Sequence, residues 1–170
     1  DDLINFIKDR LKNFLKDNEY NALEVEAVTE PIPHQFNTII KKLKAIQEFQ
    51  KLKEAEALIS SNKRVSNILK NYNFQKSIVI NKSLLVETEE KELSNCLDQI
   101  GPDTLKKIDQ ENYIDALSNL VKLKKPIDEF FDHVMVNAED DKVKQNRYNL
   151  LKMLKDTMNA VADISKLSNS

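Results

Sequence analysis

Residues 31–82 hold ten basic and three acidic side chains, a local charge of +7 in a chain whose net charge is −2. The cations are Lys41, Lys42, Lys44, Lys51, Lys53, Lys63, Arg64, Lys70, Lys76 and Lys82, and among them stand the planar groups of His34, Phe36, Phe49, Tyr72 and Phe74. Ammonium groups neutralise phosphates, and exposed aromatic or guanidinium planes stack on bases splayed out of a single RNA strand. Phe36 and Phe49 fall on an apolar helical stripe and are expected in the core. Tyr72 and Phe74 fall in an irregular segment, where exposure is expected. A basic block beside an acidic one (residues 83–141 carry −9) is the pattern of a protein with one polyanion-facing side. The alternative is that these charges are solvated helix faces that average out in space.

Only Arg10, Arg64 and Arg147 are arginine; every other cation is lysine. A guanidinium grips phosphate or guanine bidentately, which an ammonium cannot do. Asn67, one helical turn from Arg64, can present an amide to a base edge. With Lys63, Lys70 and Tyr72 these residues form the candidate set for nucleic-acid contact. Salt bridges are the competing use of the arginines: Arg10 with an acid such as Asp17, or Arg147 with Asp141.

Catalytic chemistry has no comparable constellation. His34 and His133 stand about a hundred residues apart, and neither lies at metal-ligand spacing with another histidine or a cysteine. Cys96 lies on an apolar stripe and reads as a small buried hydrophobe. The pairs Asp140-Asp141 and Glu89-Glu90 read as helix N-terminal charges. No nucleophile, base and orienting group come together.

The elements that must position these groups are helical. Residues 2–17 carry Leu3, Phe6, Ile7, Leu11, Phe14 and Leu15 in steps of three and four, one face of an amphipathic helix. A shorter helix with Leu23, Ala27 and Val28 stops before Pro31. Residues 35–49 and 51–70 repeat the pattern, the second with a break expected at Ser60-Ser61-Asn62, whose side chains compete for backbone bonds. Residues 71–86, with the β-branched run Ile78-Val79-Ile80, read as an extended connector or hairpin-like excursion. Thr88 with Glu89 and Glu90 marks a helix start, and Gly101-Pro102 marks its end. Further helices are expected over 111–124, from Pro126, and from about Asp140 to Lys166.

Composition agrees. One glycine in 170 residues, against an average near 7%, is too few for the tight turns of sandwiches, barrels or doubly wound sheets. Gly101 alone cannot build a glycine-rich phosphate loop. The expected fold is all-α, a bundle of seven or eight helices. No apolar run approaches the ~20 residues that cross a bilayer. A single cysteine fits a reducing, cytoplasmic setting. A start at Asp-Asp is expected of a piece of a longer protein.

The last forty residues are distinctive. Pro126-Ile-Asp-Glu-Phe-Phe-Asp-His-Val-Met-Val-Asn-Ala-Glu-Asp140 is followed by Gln145-Asn-Arg-Tyr-Asn-Leu-Leu151 and Val161-Ala-Asp-Ile-Ser-Lys-Leu167. Near the start stands Phe6-Ile-Lys-Asp-Arg-Leu11, and farther on Arg64-Val-Ser-Asn67-Ile-Leu and Ser83-Leu84-Leu85 with Glu89-Glu90. In order and spacing this resembles the carboxy-terminal end of the β subunit of bacterial glycyl-tRNA synthetase. Tyr148, where an aliphatic residue is usual, and Lys144, which replaces a common leucine, are the departures, and they bear on local packing.

The resemblance implies that residues 1–170 are one helical anticodon-binding domain of the DALR type, which recognises the glycine tRNA. It implies an α2β2 assembly with a catalytic α subunit and the rest of the β subunit as partners. ATP and magnesium chemistry would belong to the α subunit, so this chain would carry no cofactor and would not form the aminoacyl bond. Arg10, Arg64 and Arg147 each fall in a family motif; Phe130, Phe131, Val134 and Val136 are expected in the core. The other reading is a protein–protein module that holds the subunits together through the acidic block 83–141.

Overall fold

The computed structural model describes residues 2–17, 20–29, 36–74 and 78–168. Among them are eight α-helices: α1 (Asp2–Asp17), α2 (Ala22–Thr29), α3 (Ile39–Gln50), α4 (Ala55–Leu69), α5 (Thr88–Asp109), α6 (Tyr113–Asn119), α7 (Lys124–His133) and α8 (Asp141–Met158). Single 3-10 turns at Phe36–Thr38, Lys82–Leu84, Leu120–Leu123 and Ile164–Leu167 complete the regular structure, and the described residues contain no strand. No helix among the described residues is long and apolar enough to cross a membrane.

Local chemistry sets several helix starts. Asn21 and Glu24 cap α2 reciprocally: the Glu24 amide donates to Asn21 Oδ1 at 2.9 Å, and the Asn21 amide donates to Glu24 Oε2 at 3.1 Å. The Glu87 amide donates to Glu90 Oε2 at 2.8 Å at the head of α5. Asp140 Oδ1 accepts from the amides of Lys142 and Val143 at the head of α8, which holds its carboxyl below the usual carboxylate range.

The core lies where α5 packs against α6, α7 and α8 and where α4 packs against α8 and the C-terminal 3-10 turn. Phe49, Phe130, Leu43, Leu58, Leu93 and Leu117 are its largest enclosed side chains. Apolar residues at steps of three and four on each helix face this interior. The N-terminal helix is the exception. Leu15 is buried, but Phe6 and Phe14 are 57% and 59% exposed, because α1 packs on the eight-residue α2 and its apolar stripe exceeds that contact. The side chains of Leu3 and Ile7 lie outside the described residues.

The α6 helix stops at Asn119 and α7 starts at Lys124, two residues before Pro126; three further boundaries differ from the sequence reading. Ser60-Ser61-Asn62 does not break α4; Asn62 is fully buried and its Nδ2 donates to Asn159 Oδ1 at 2.7 Å. The same Asn159 oxygen accepts the Ile164 amide at 3.2 Å, so α8 stops at Met158 and the chain folds back, where the Asp163 amide meets the Ala27 carbonyl at 2.8 Å. Finally, Gly101-Pro102 does not end α5. The helix runs on to Asp109 with Pro102 on its exposed side. It stops in a Schellman turn, in which the amides of Asn112 and Glu111 bond the carbonyls of Lys107 and Ile108 at 2.8 Å each. The left-handed position there, φ 55°, is filled by Glu111 rather than glycine.

Candidate nucleic-acid interface

The basic block divides once its helices are placed. Lys41 of α3 pairs with Glu111. Lys42 is half-buried over the Tyr113 ring at 5.5 Å, and that burial lowers its pKa. Lys51 meets Glu48 at 2.7 Å. Lys82 reaches Asp98 at 2.5 Å and Ser94 Oγ at 2.6 Å. His34 and Lys76 lie outside the described residues. The cations without an ion pair to any described residue are Lys44 on α3, Lys53 just before α4, Lys63 and Arg64 on α4 and, at the C-terminal edge of α4, Lys70; α4 holds the densest group, with Asn67 beside it. Arg64, Asn67 and Lys70 are exposed and Lys63 is half-exposed. Their spacing places them on the helix face opposite Leu58, Val65 and Leu69, which are buried.

Arg64 has a definite seat. Its guanidinium carbon stands 4.0 Å from the centroid of Phe131 on α7, well within cation–π range. Phe131 in turn meets Phe130 edge to face, centroids 5.5 Å apart at 79°, and Phe130 is fully enclosed. Sequence reasoning placed both phenylalanines in the core. Phe131 is half-buried and carries the arginine. No local signal marked it: neighbours on a helix point about 100° apart, yet Leu150 and Leu151 of α8 are both enclosed.

Arg147 is in the interior, 6% exposed. Its Nε donates to Glu90 Oε1 at 2.6 Å and its Nη1 to the Met135 carbonyl at 2.7 Å, with Glu87 Oε1 4.0 Å from Nη2. It is therefore withdrawn from polyanion contact, and its acid is Glu90 rather than Asp141. Tyr72 is likewise occupied. It stacks on Tyr148 at 3.9 Å and 15°, meets Phe74 edge-on at 4.9 Å, and donates its hydroxyl to Gln145. Both Tyr72 and Phe74 are half-buried rather than free stacking planes. Tyr148 also donates to Asn137 Oδ1 at 3.0 Å. Arg10 is exposed on α1, 5.3 Å over its own Phe6, so the three arginines have three separate environments.

The run 145–151 thus acts as a clamp. Asn146 Oδ1 accepts the Asn81 amide at 2.8 Å while its Nδ2 donates to the Asn81 carbonyl at 3.1 Å. Asn149 Nδ2 donates to the Val79 carbonyl at 2.9 Å. Together these side chains fasten the irregular segment 78–81 to α8, in place of the ladder a hairpin would have supplied. Cys96 is half-buried, with its thiol pushed up by burial. His133 is exposed at the end of α7, its Nδ1 3.0 Å from the Glu129 carbonyl.

An all-α module with a cationic helix face that has no ion pair among the described residues is the class defined here, and residues 58–167 match the DALR anticodon binding domain. The chain belongs to that family. It is 44% identical over 163 residues to the glycine–tRNA ligase beta subunit of Methylobacillus flagellatus, covering 96% of this chain and 23% of that protein. The beta subunits of Delftia acidovorans and Dechloromonas aromatica are 39% and 42% identical over 166 residues each, 98% of this chain and 24% and 23% of theirs. The chain spans about a quarter of the length of these curated relatives.

Proposed function

We propose that this chain is the tRNA-reading domain of a glycyl-tRNA synthetase β subunit and that the outer face of α4 approaches the anticodon loop. The observation that carries the reading is the coincidence of the anticodon-binding match over 58–167 with a cationic face, Lys63, Arg64 and Lys70, left unpaired among the described residues. Lysines there neutralise phosphates without regard to sequence, while Arg64 and Asn67 are the groups able to distinguish bases. Arg10 is a separate, second contact candidate. In this reading glycine activation, with ATP and magnesium, belongs to a partner α subunit, the complex is α2β2, and its setting is the cytoplasm.

Filter binding or anisotropy tests this directly. The chain is expected to prefer the glycine tRNA over the same tRNA with an exchanged anticodon; equal affinity for both ends the anticodon reading. Lys63→Ala with Lys70→Ala is expected to weaken all tRNAs alike and to reduce the salt slope by about 1 per lysine removed.

A second reading, contact with the remainder of the synthetase, is favoured by an apolar hollow of about 530 Å³ between the 78–80 segment, α5 and α8. Val79 and Leu105 on its rim are 65% and 57% exposed. Leu105→Asp that dissociates the subunits while leaving tRNA affinity intact would assign this face to assembly.

A further inference from the structure

The Arg64–Phe131 contact has an order that an ordinary surface cation lacks. Phe130 is enclosed in the core. Phe131 packs edge-on against it at 5.5 Å. Arg64 rests on Phe131 at 4.0 Å, and Arg64 itself is exposed. Each layer packs on the one beneath it, and the outermost is a planar cation exposed to solvent. Arg64 makes no ion pair with any described residue. Of the acids on α7, Asp128 is taken by Lys124, Glu129 lies 3.6 Å from His133, and Asp132 is exposed and pairs with no described cation. The guanidinium therefore keeps its hydrogen-bonding edge. On either side along α4 stand Lys63 and Lys70, and Asn67 lies one turn away.

From this arrangement we infer that Arg64, seated on Phe131, is the stacking platform for one unpaired base of the bound RNA loop. The base lies on the open side of the guanidinium, so that ring, cation and base form three layers. Lys63 and Lys70 receive the flanking phosphates, and the Asn67 amide reaches the edge of the same or the adjacent base. Stacking on a side chain that is already ordered avoids the entropy that a free arginine loses on binding. A guanidinium suits the role because it is weakly hydrated and stacks on π-faces, whereas a lysine at 64 would supply the charge without the plane. The inference rests on the anticodon-loop reading above and names the residue that would carry base contact within it.

The test uses the 170-residue chain and the anticodon stem–loop of a glycine tRNA, intact and with each loop base in turn replaced by an abasic nucleotide. Removing the stacked base is expected to weaken wild-type binding about tenfold or more, the range of one base–side-chain stack. Arg64→Lys should weaken the intact loop by a similar factor, leave the salt slope unchanged, and show no further loss at that one abasic position, since the two changes remove the same contact. Phe131→Leu should reproduce part of this loss with Arg64 still in place; because Phe131 is half-buried, its thermal midpoint is measured beside the affinity, and the exposed Arg64→Lys variant carries the conclusion if Phe131→Leu unfolds. A wild-type chain that binds no stem–loop refutes the anticodon reading itself. A wild-type chain that binds, with Arg64→Lys binding equally well or losing affinity additively at every abasic position, refutes only the platform. Arg64→Lys that spares RNA in this chain but weakens assembly when placed in the full β subunit with its α partner makes this face a protein contact and overturns the proposal.

Discussion

Arg147 Nε donates to Glu90 Oε1 at 2.6 Å, both side chains withdrawn from solvent, while the other Glu90 oxygen accepts the Glu87 amide at 2.8 Å. One carboxylate thus caps α5 and neutralises the arginine of α8, which also holds the Met135 carbonyl of the connector before α8. Three parts of the chain share one buried pair.

Removing either member leaves the other charge buried. Arg147→Met is expected to destabilise by about 3–5 kcal/mol, as breaking a buried pair does, read as a lowered urea midpoint. Adding Glu90→Leu should recover part of that loss but not the cap. Under conditions where the single variant stays folded, its tRNA affinity should equal wild type, since Arg147 faces inward.

Pro102 lies inside α5 on its exposed side, where it has no N–H for the Asp98 carbonyl. Pro102→Ala should stabilise by about 1–3 kcal/mol, less the entropy proline removes from the unfolded chain. Gly101 is helical, and a Cβ there would meet only Thr157 Oγ1 at 4.0 Å. Yet a side chain before proline disfavours the helical conformation. Gly101→Ala should therefore gain about 0.5–1 kcal/mol only when Pro102→Ala is already present, a non-additivity that thermal melts would show.

Asn146 supplies both the donor and the acceptor for the Asn81 backbone. Asn146→Ala should release segment 78–82 while the helices persist. Hydrogen exchange at the Asn81 amide is expected to quicken about three- to tenfold, the net value of one hydrogen bond. An unchanged rate would mean that the segment is held by something other than this clamp.

Asp140 has its carboxyl held low by the Val143 amide first and the Lys142 amide second, and Asp103 is held low chiefly by its hydrogen bond from Lys107. A depressed folded pKa contributes stability that is present above the unfolded carboxylate pKa and is lost as pH falls through the folded one. Asp140→Asn keeps an N-cap acceptor but cannot titrate. Its thermal midpoint should match wild type near neutrality and fall less steeply below about pH 4. His133 is shifted the opposite way, raised by its backbone contact at Glu129 and then by nearby carboxylates. The stability it contributes is present at low pH and fades as pH rises through its folded pKa, so His133→Gln should flatten a small slope at and above the usual histidine range.

The helices themselves were legible in the residues. Steps of three and four at Ile39, Leu43, Ile46 and Phe49, or at Leu150, Leu151, Leu154 and Met158, require one buried face whatever the partner, because apolar burial and helical period are local properties. The dearth of glycine told against sheets for an equally local reason. Packing decided the rest. Whether Gly101-Pro102 ends a helix depends on burial of Leu97, Ile100 and Thr104 on both sides of it, which offsets one missing hydrogen bond. Whether an arginine is a ligand or a strut depends on what lies across from it: Glu90 for Arg147, the face of Phe131 for Arg64, its own Phe6 for Arg10. Tyr72 looked available until Tyr148, 76 positions on, closed over it. Charge and planarity are written in residue types, but their availability to a partner is a matter of long-range neighbours, which no local pattern of this chain records.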